Sequence, residues 1–238
     1  MSHVNVRTLV VVAIGASALI GGQASAQEGP AAVEKRVAAL KQSIQESQAR
    51  LRKYEWIETT IISLKGEEKD RKQQRCYYGA DGKVQKVLLS DEKSAAPKGG
   101  RLKQKIVANK TSDMKEYMER AGALVQHYVP PFPGDIDNAK KAGNVALRPG
   151  QGGRVRLEFT NYLKAGDLMT VDVDAAANAL VGLSVNSYLD TPDDAVTLNV
   201  GFASLADGAS YTAQTTLDAK AKNITVVIQN SGHRPAGR

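Results

Sequence analysis

The chain has 238 residues, 42% hydrophobic and 24% charged, a soluble composition that excludes wholesale disorder and a multi-span membrane protein. Lys and Arg number 32 against 25 Asp and Glu, for a formal net charge of +7. One Cys excludes an intrachain disulfide and a Cys-based zinc site.

Residues 1–26 read as a secretory signal peptide. Arg7 supplies a basic n-region, Leu9 to Ile20 an apolar stretch, and Ala24-Ser25-Ala26 the small residues that a signal peptidase accepts. A transmembrane anchor fits less well, because a span needs about 20 apolar residues and Gly15, Ser17, Gly21, Gly22 and Gln23 break this run. Cleavage after Ala26 would deliver the protein to the periplasm. Position 27 is Gln rather than Cys, so the pattern is not that of a lipoprotein.

After a Gly-Pro linker, Val33, Val37, Leu40, Ile44 and Leu51 form one apolar stripe on a helix of about 20 residues. Tyr54 to Leu64 is rich in β-branched and aromatic residues and predicts a strand. A turn at 65–68, a return strand from Arg71 to Gly79, an Asp81-Gly82 hairpin signal and a third strand from Val84 to Ser90 follow. Cys76 lies in the second of these strands, beside Tyr77 and Tyr78, as a buried structural thiol. Asp91 to Gly100 reads as a loop. Leu102, Ile106, Tyr117, Ala121, Leu124 and Tyr128 give a second helical stripe, with a break near 109–112, ending before Pro130-Pro131. A short helix spans Ile136 to Ala142.

From Asn144 onward the pattern is an alternating β-meander. The apolar positions are Val155, Leu157 and Phe159, then Met169, Val171 and Val173. Further runs follow around Leu183, Leu198, Tyr211 and Val226, each bounded by turn residues. The last residues, 231–238, read as a disordered tail. The whole predicts a single α+β unit over 27–230. It is a curved antiparallel β-sheet, an incomplete barrel of about ten strands, covered on its concave face by long helices.

This order of elements resembles the LolA-type superfamily of periplasmic lipoprotein-sorting and lipoprotein-binding proteins. Tyr54-Glu55-Trp56-Ile57-Glu58-Thr59-Thr60 and Leu64-Lys65-Gly66-Glu67 look like its first strand pair. Asn161 to Asp167, Thr197 to Val200 and Asp207 to Tyr211 look like its later hairpins. The resemblance implies an incomplete barrel closed by helices, with an apolar interior that accepts acyl chains.

No catalytic constellation stands out. Beyond residue 26 the only histidines are His127 and His233, with no metal-ligand spacing and no Gly-x-Ser-x-Gly elbow. Arg148 to Gly153 is glycine-rich but sits between strands, so it reads as a hairpin rather than a phosphate cradle. Glu58 is the acid that interrupts an otherwise uncharged strand.

The chain is therefore expected to be a non-catalytic binding protein without cofactor or metal, a carrier of a lipid or a lipoprotein acyl chain. Candidate lining residues are Trp56, Leu157, Phe159, Leu183, Val185, Leu198, Val200 and Phe202. The alternative is an envelope interaction or sensing module whose barrel is plugged by Leu40, Ile44, Tyr117, Met118 and Leu124. Basic residues crowd 65–86, which suits an anionic membrane surface or an acidic partner, whereas nucleic acid does not suit an exported protein. The sequence does not set an oligomeric state.

Overall fold

The computed structural model describes residues 29–93, 101–177 and 179–237, with only the backbone at 93, 101–113 and 115. The expected signal peptide therefore lies outside the described residues.

Among the described residues three α-helices and ten strands make an α+β fold. Helix α1 (Pro30–Leu51) opens with Pro at its first position, where no intrahelical N–H is required. Strands β1 (Tyr54–Leu64), β2 (Glu67–Tyr78) and β3 (Val84–Lys93) follow, then α2 (Arg101–Tyr128) and α3 (Pro133–Lys141). The meander comprises β4 (Val145–Pro149), β5 (Arg154–Thr160), β6 (Leu168–Asp174), β7 (Ala179–Tyr188), β8 (Ala195–Ser204), β9 (Ser210–Ala219) and β10 (Ile224–Pro235).

All ten strands form one antiparallel sheet in the order β3-β2-β1-β10-β9-β8-β7-β6-β5-β4. The sheet is curved and does not close. Bulges at Gln73/Gln74, Ile62/Ser63, Asp172/Val173 and Gly201/Phe202 bend its strands. Its free edges are β3 and β4, which are consecutive in the chain. The α2–α3 segment is therefore the link from one edge of the opening to the other.

Local chemistry explains most boundaries. Lys65 and Gly66 both have positive φ, so the β1–β2 turn needs only two residues and β2 starts at Glu67, earlier than its sequence suggests. The Asp81-Gly82 turn joins β2 to β3, with Gly82 at φ 73°. Helix α2 runs without the break expected at 109–112, because a polar Thr-Ser pair weakens a helix without ending it.

The expected tail needs correction. Residues 231–235 are strand, since β10 extends to Pro235 along β1, with Glu55 opposite Arg234 and Tyr54 opposite Pro235. Gly232 and Pro235 discourage a strand locally, but β1 offers an unpaired ladder that satisfies the backbone there.

The alternating apolar residues of β5–β10 turn to one side. Leu157, Phe159, Met169, Val171, Leu183, Val185, Leu198, Val200, Leu217 and Val226 form a single core there with Val37, Leu40 and Ile44 of α1 and Tyr117, Ala121, Leu124 and Tyr128 of α2. The same face continues onto β1 through Leu64 opposite Ile224 and Ile62 opposite Val226. Beyond Thr60, opposite Ile228, it turns polar at Glu58, opposite Asn230.

Candidate functional site

Six of the eight proposed lining residues occupy the heart of the core. Leu157, Phe159, Leu183, Val185, Leu198 and Val200 are each at most 4% exposed and are shut in with helix side chains. Alternation placed them on the right face, as their cross-strand partners show: Leu183 faces Val200 and Val185 faces Leu198. Phe202 is half-buried at the margin of that core, and Trp56 lies outside it on β1.

Two apolar grooves reach solvent beside this core. The larger, of about 610 Å³, lies between the start of α1 and edge strand β4 and is lined by Pro30, Val33, Gly143, Val145 and Leu147, with Glu34 and Lys140 at its rim. Lys140 Nζ donates to Glu34 Oε1 at 3.0 Å across that rim. The second, of about 320 Å³, lies under the last turn of α1, against Tyr78, Phe202 and Tyr211. Sequence reasoning missed the first groove because it exists only where a helix start meets a sheet edge. Phe202 was the one residue of the second expected to line a ligand site.

Near the second groove an aromatic row crosses four strands. Trp56 of β1 is tilted against Tyr78 of β2 at 5.7 Å and stacked on His233 of β10 at 5.8 Å with an interplanar angle of 11°. His233 in turn meets Tyr211 of β9 at 4.0 Å. The sequence placed His233 in a loose tail, so nothing local announced this role. Its imidazole is half-buried, and burial pushes its pKa below the ordinary 6.5. Between that depressed value and 6.5 the unfolded chain binds a proton that the folded chain refuses. Stability from this group is therefore complete above about pH 6.5 and declines as pH falls below it. Urea midpoints measured from pH 7.5 to 5 are expected to fall less in His233→Phe than in the parent.

The polar stretch of the inner face is organised by Glu58, which is 9% exposed. Lys86 Nζ from β3 donates to both of its carboxylate oxygens, at 2.6 and 2.9 Å. Cys76, opposite Lys86 and opposite Trp56 in register, is fully buried. Burial, then the Glu58 charge, pushes its thiol up to about 11, so it is protonated at neutral pH and is no nucleophile. The acid and the base here satisfy each other, which is what a structural pair does. On the other face Glu55 accepts from Arg75 at 3.4 Å and Arg234 at 2.5 Å. The basic crowd of 65–86 is thus interleaved with acids, since Lys69 and Arg71 also pair, with Glu67 and Glu68. Among the described residues no group of three or more His, Cys, Asp or Glu could hold a metal ion.

The β5–β6 corner carries a second buried carboxylate. Asp167, 2% exposed, accepts the backbone N–H groups of Tyr162 (2.5 Å), Leu163 (2.9 Å) and Lys164 (3.0 Å). It also accepts the hydroxyl of Tyr128 at 2.6 Å, tying the end of α2 to that corner. The Tyr128 hydroxyl also lies 3.0 Å from Ser187 Oγ of β7. Burial, reinforced by Asp167, holds the Tyr128 phenol well above its usual range. The assembly clamps the end of α2 to the β5–β6 corner and to β7.

The chain is similar to a DUF1329 family protein from Desulfovibrio piger. The likeness has a TM-score of 0.44 at 12% identity and covers 85% of this chain and 92% of that chain. No family model matches the sequence, and no curated protein matches it.

Proposed function

We propose that this protein is an exported, non-catalytic binding protein of the LolA type that carries an acyl chain or a similarly apolar ligand. In this reading residues 1–26 direct it to the periplasm, and α1 and α2 roof the concave side of the sheet. The ligand lies in the groove between α1 and β4. The observation that supports it is that groove itself. At about 610 Å³ it is of ligand size, its walls are Pro30, Val33, Val145 and Leu147, and its few polar groups stand at the rim.

A fluorescent fatty acid is expected to bind the purified protein and to be displaced by palmitate. Native mass spectrometry of protein taken from the periplasm should find a co-purifying lipid. Val33→Glu would set a carboxylate among the apolar walls and should weaken fatty-acid binding by about tenfold or more, with the urea midpoint little changed. No binding by the parent protein, or equal binding by the variant, sinks the carrier reading.

A second reading, an envelope interaction or sensing module, has its own support. Leu40, Ile44, Tyr117 and Leu124 are buried against the inner strands, so the centre of the bowl is filled by the chain itself. Under this reading fatty acids do not bind, and crosslinking in the envelope yields one dominant protein partner.

A further inference from the structure

We propose that the groove under the end of α1, next to the aromatic row, is a separate binding site for a six-membered ring that offers a stacking face, aromatic or C–H, and bears an anionic group. It is a different place from the α1–β4 groove and would stand if no acyl chain bound there.

Shape is the first argument. Tyr78 and Tyr211 both line the groove of about 320 Å³ and end a row whose middle rings are Trp56 and His233, and Phe202 adds a further ring to the walls. All five rings are half-buried. Flat, partly exposed rings anchored by one another present faces that a second flat ring can stack on, at small entropic cost because the platform is already ordered. The volume is at the low end for small-molecule sites, which suits one ring better than a long chain.

Charge is the second argument. Arg52, the residue that caps α1, stands at the groove beside the β2–β3 turn, where a Cβ added to Gly82 would lie 3.8 Å from its guanidinium. No acidic residue lines the groove, and Arg52 has no ion pair among the described residues. Its neighbours behave differently, since Arg50 donates to the Asp207 carbonyl oxygen at 2.5 Å and Arg75 pairs with Glu55. A planar guanidinium left without a carboxylate partner at the mouth of an aromatic groove matches a carboxylate on the ring, which it can take in two parallel hydrogen bonds. Gln48 and Thr212 add polar groups at the same opening.

An aryl acid and a uronic acid share this chemistry, so both serve as probes. Trp56 is the only Trp of the chain and lies against Tyr78, which lines the groove, so its emission reports on the site through that ring. Benzoate or glucuronate is expected to change Trp56 emission saturably, and whichever acts identifies the ring class. Benzamide and glucose, their uncharged counterparts, should bind about tenfold more weakly. Arg52→Gln, at an exposed position, should erase that difference while leaving the urea midpoint unchanged. Tyr78→Leu should weaken both acids and their neutral counterparts alike. The proposal is overturned if neither acid gives a saturable change, or if Arg52→Gln binds the acids as the parent does.

Discussion

Asp167→Ala is expected to lower the unfolding free energy by about 3–5 kcal/mol, because several buried donors lose their acceptor at about 1–3 kcal/mol each. The loss follows from what remains behind. Three backbone N–H groups, at Tyr162, Leu163 and Lys164, and the Tyr128 hydroxyl would be left without their acceptor in a buried corner. No water-exposed rotamer can rescue them, because the backbone there is fixed by a loop with Asn161 and Gly166 at positive φ. Tyr128→Phe removes one donor only and should cost about 1 kcal/mol. Urea titration at pH 7 measures both. A loss below 1 kcal/mol for Asp167→Ala would show that the corner is wet. Domains of this kind have a total stability of roughly 5–15 kcal/mol, so the variant should be marginally folded at 37 °C.

Phe159→Ala should cost about 3–5 kcal/mol, as large-to-small changes in sealed cores do. Phe159 is completely buried, sits opposite Met169 on β6 and Val145 on β4, and meets Tyr162 edge-on at 5.8 Å. The same experiment bears on function. Were Phe159 the wall of an open acyl cavity, removing the ring would enlarge a space already present, and the cost would stay near the transfer value of about 1.5–3 kcal/mol. A value above that range in urea titration supports the filled interior and confines any acyl chain to the α1–β4 groove. A value within it would put the ligand back in the centre of the bowl.

Legibility in the sequence followed the range of the interactions. The period-2 alternation of Leu157 and Phe159, Met169 and Val171, or Leu198 and Val200 was readable because one buried face imposes it on every strand. The α1 stripe was readable for the same reason at period 3.6, and Val37, Leu40 and Ile44 are all buried. Turns that need positive φ declared themselves through Gly66 and Gly82. The β10 end was misread, because Ser231-Gly232-His233 becomes strand only when β1 lies beside it. Asp167 read as a turn acid, and its clamp appears only once Tyr128 arrives from 39 residues earlier in the chain. For the candidate sites, Trp56 and Phe202 were named for the interior and stand by the second groove, while Arg52, Tyr78 and Val33 were not named for any site.

Taken by itself, the amino-acid order determined that strands would alternate, that α1 would bury one stripe, and that the class would be α+β with an antiparallel meander. Those are local properties, set by side-chain period and turn chemistry within a few residues. Tertiary structure alone decided that β1 pairs with β10, that side chains of α1 and α2 share one core with β5–β10, and that openings remain at the α1–β4 edge and under the α1 end. Each of these depends on which residues distant in the chain compete for one volume, and packing to near-crystalline density settles that only when the whole chain is in place.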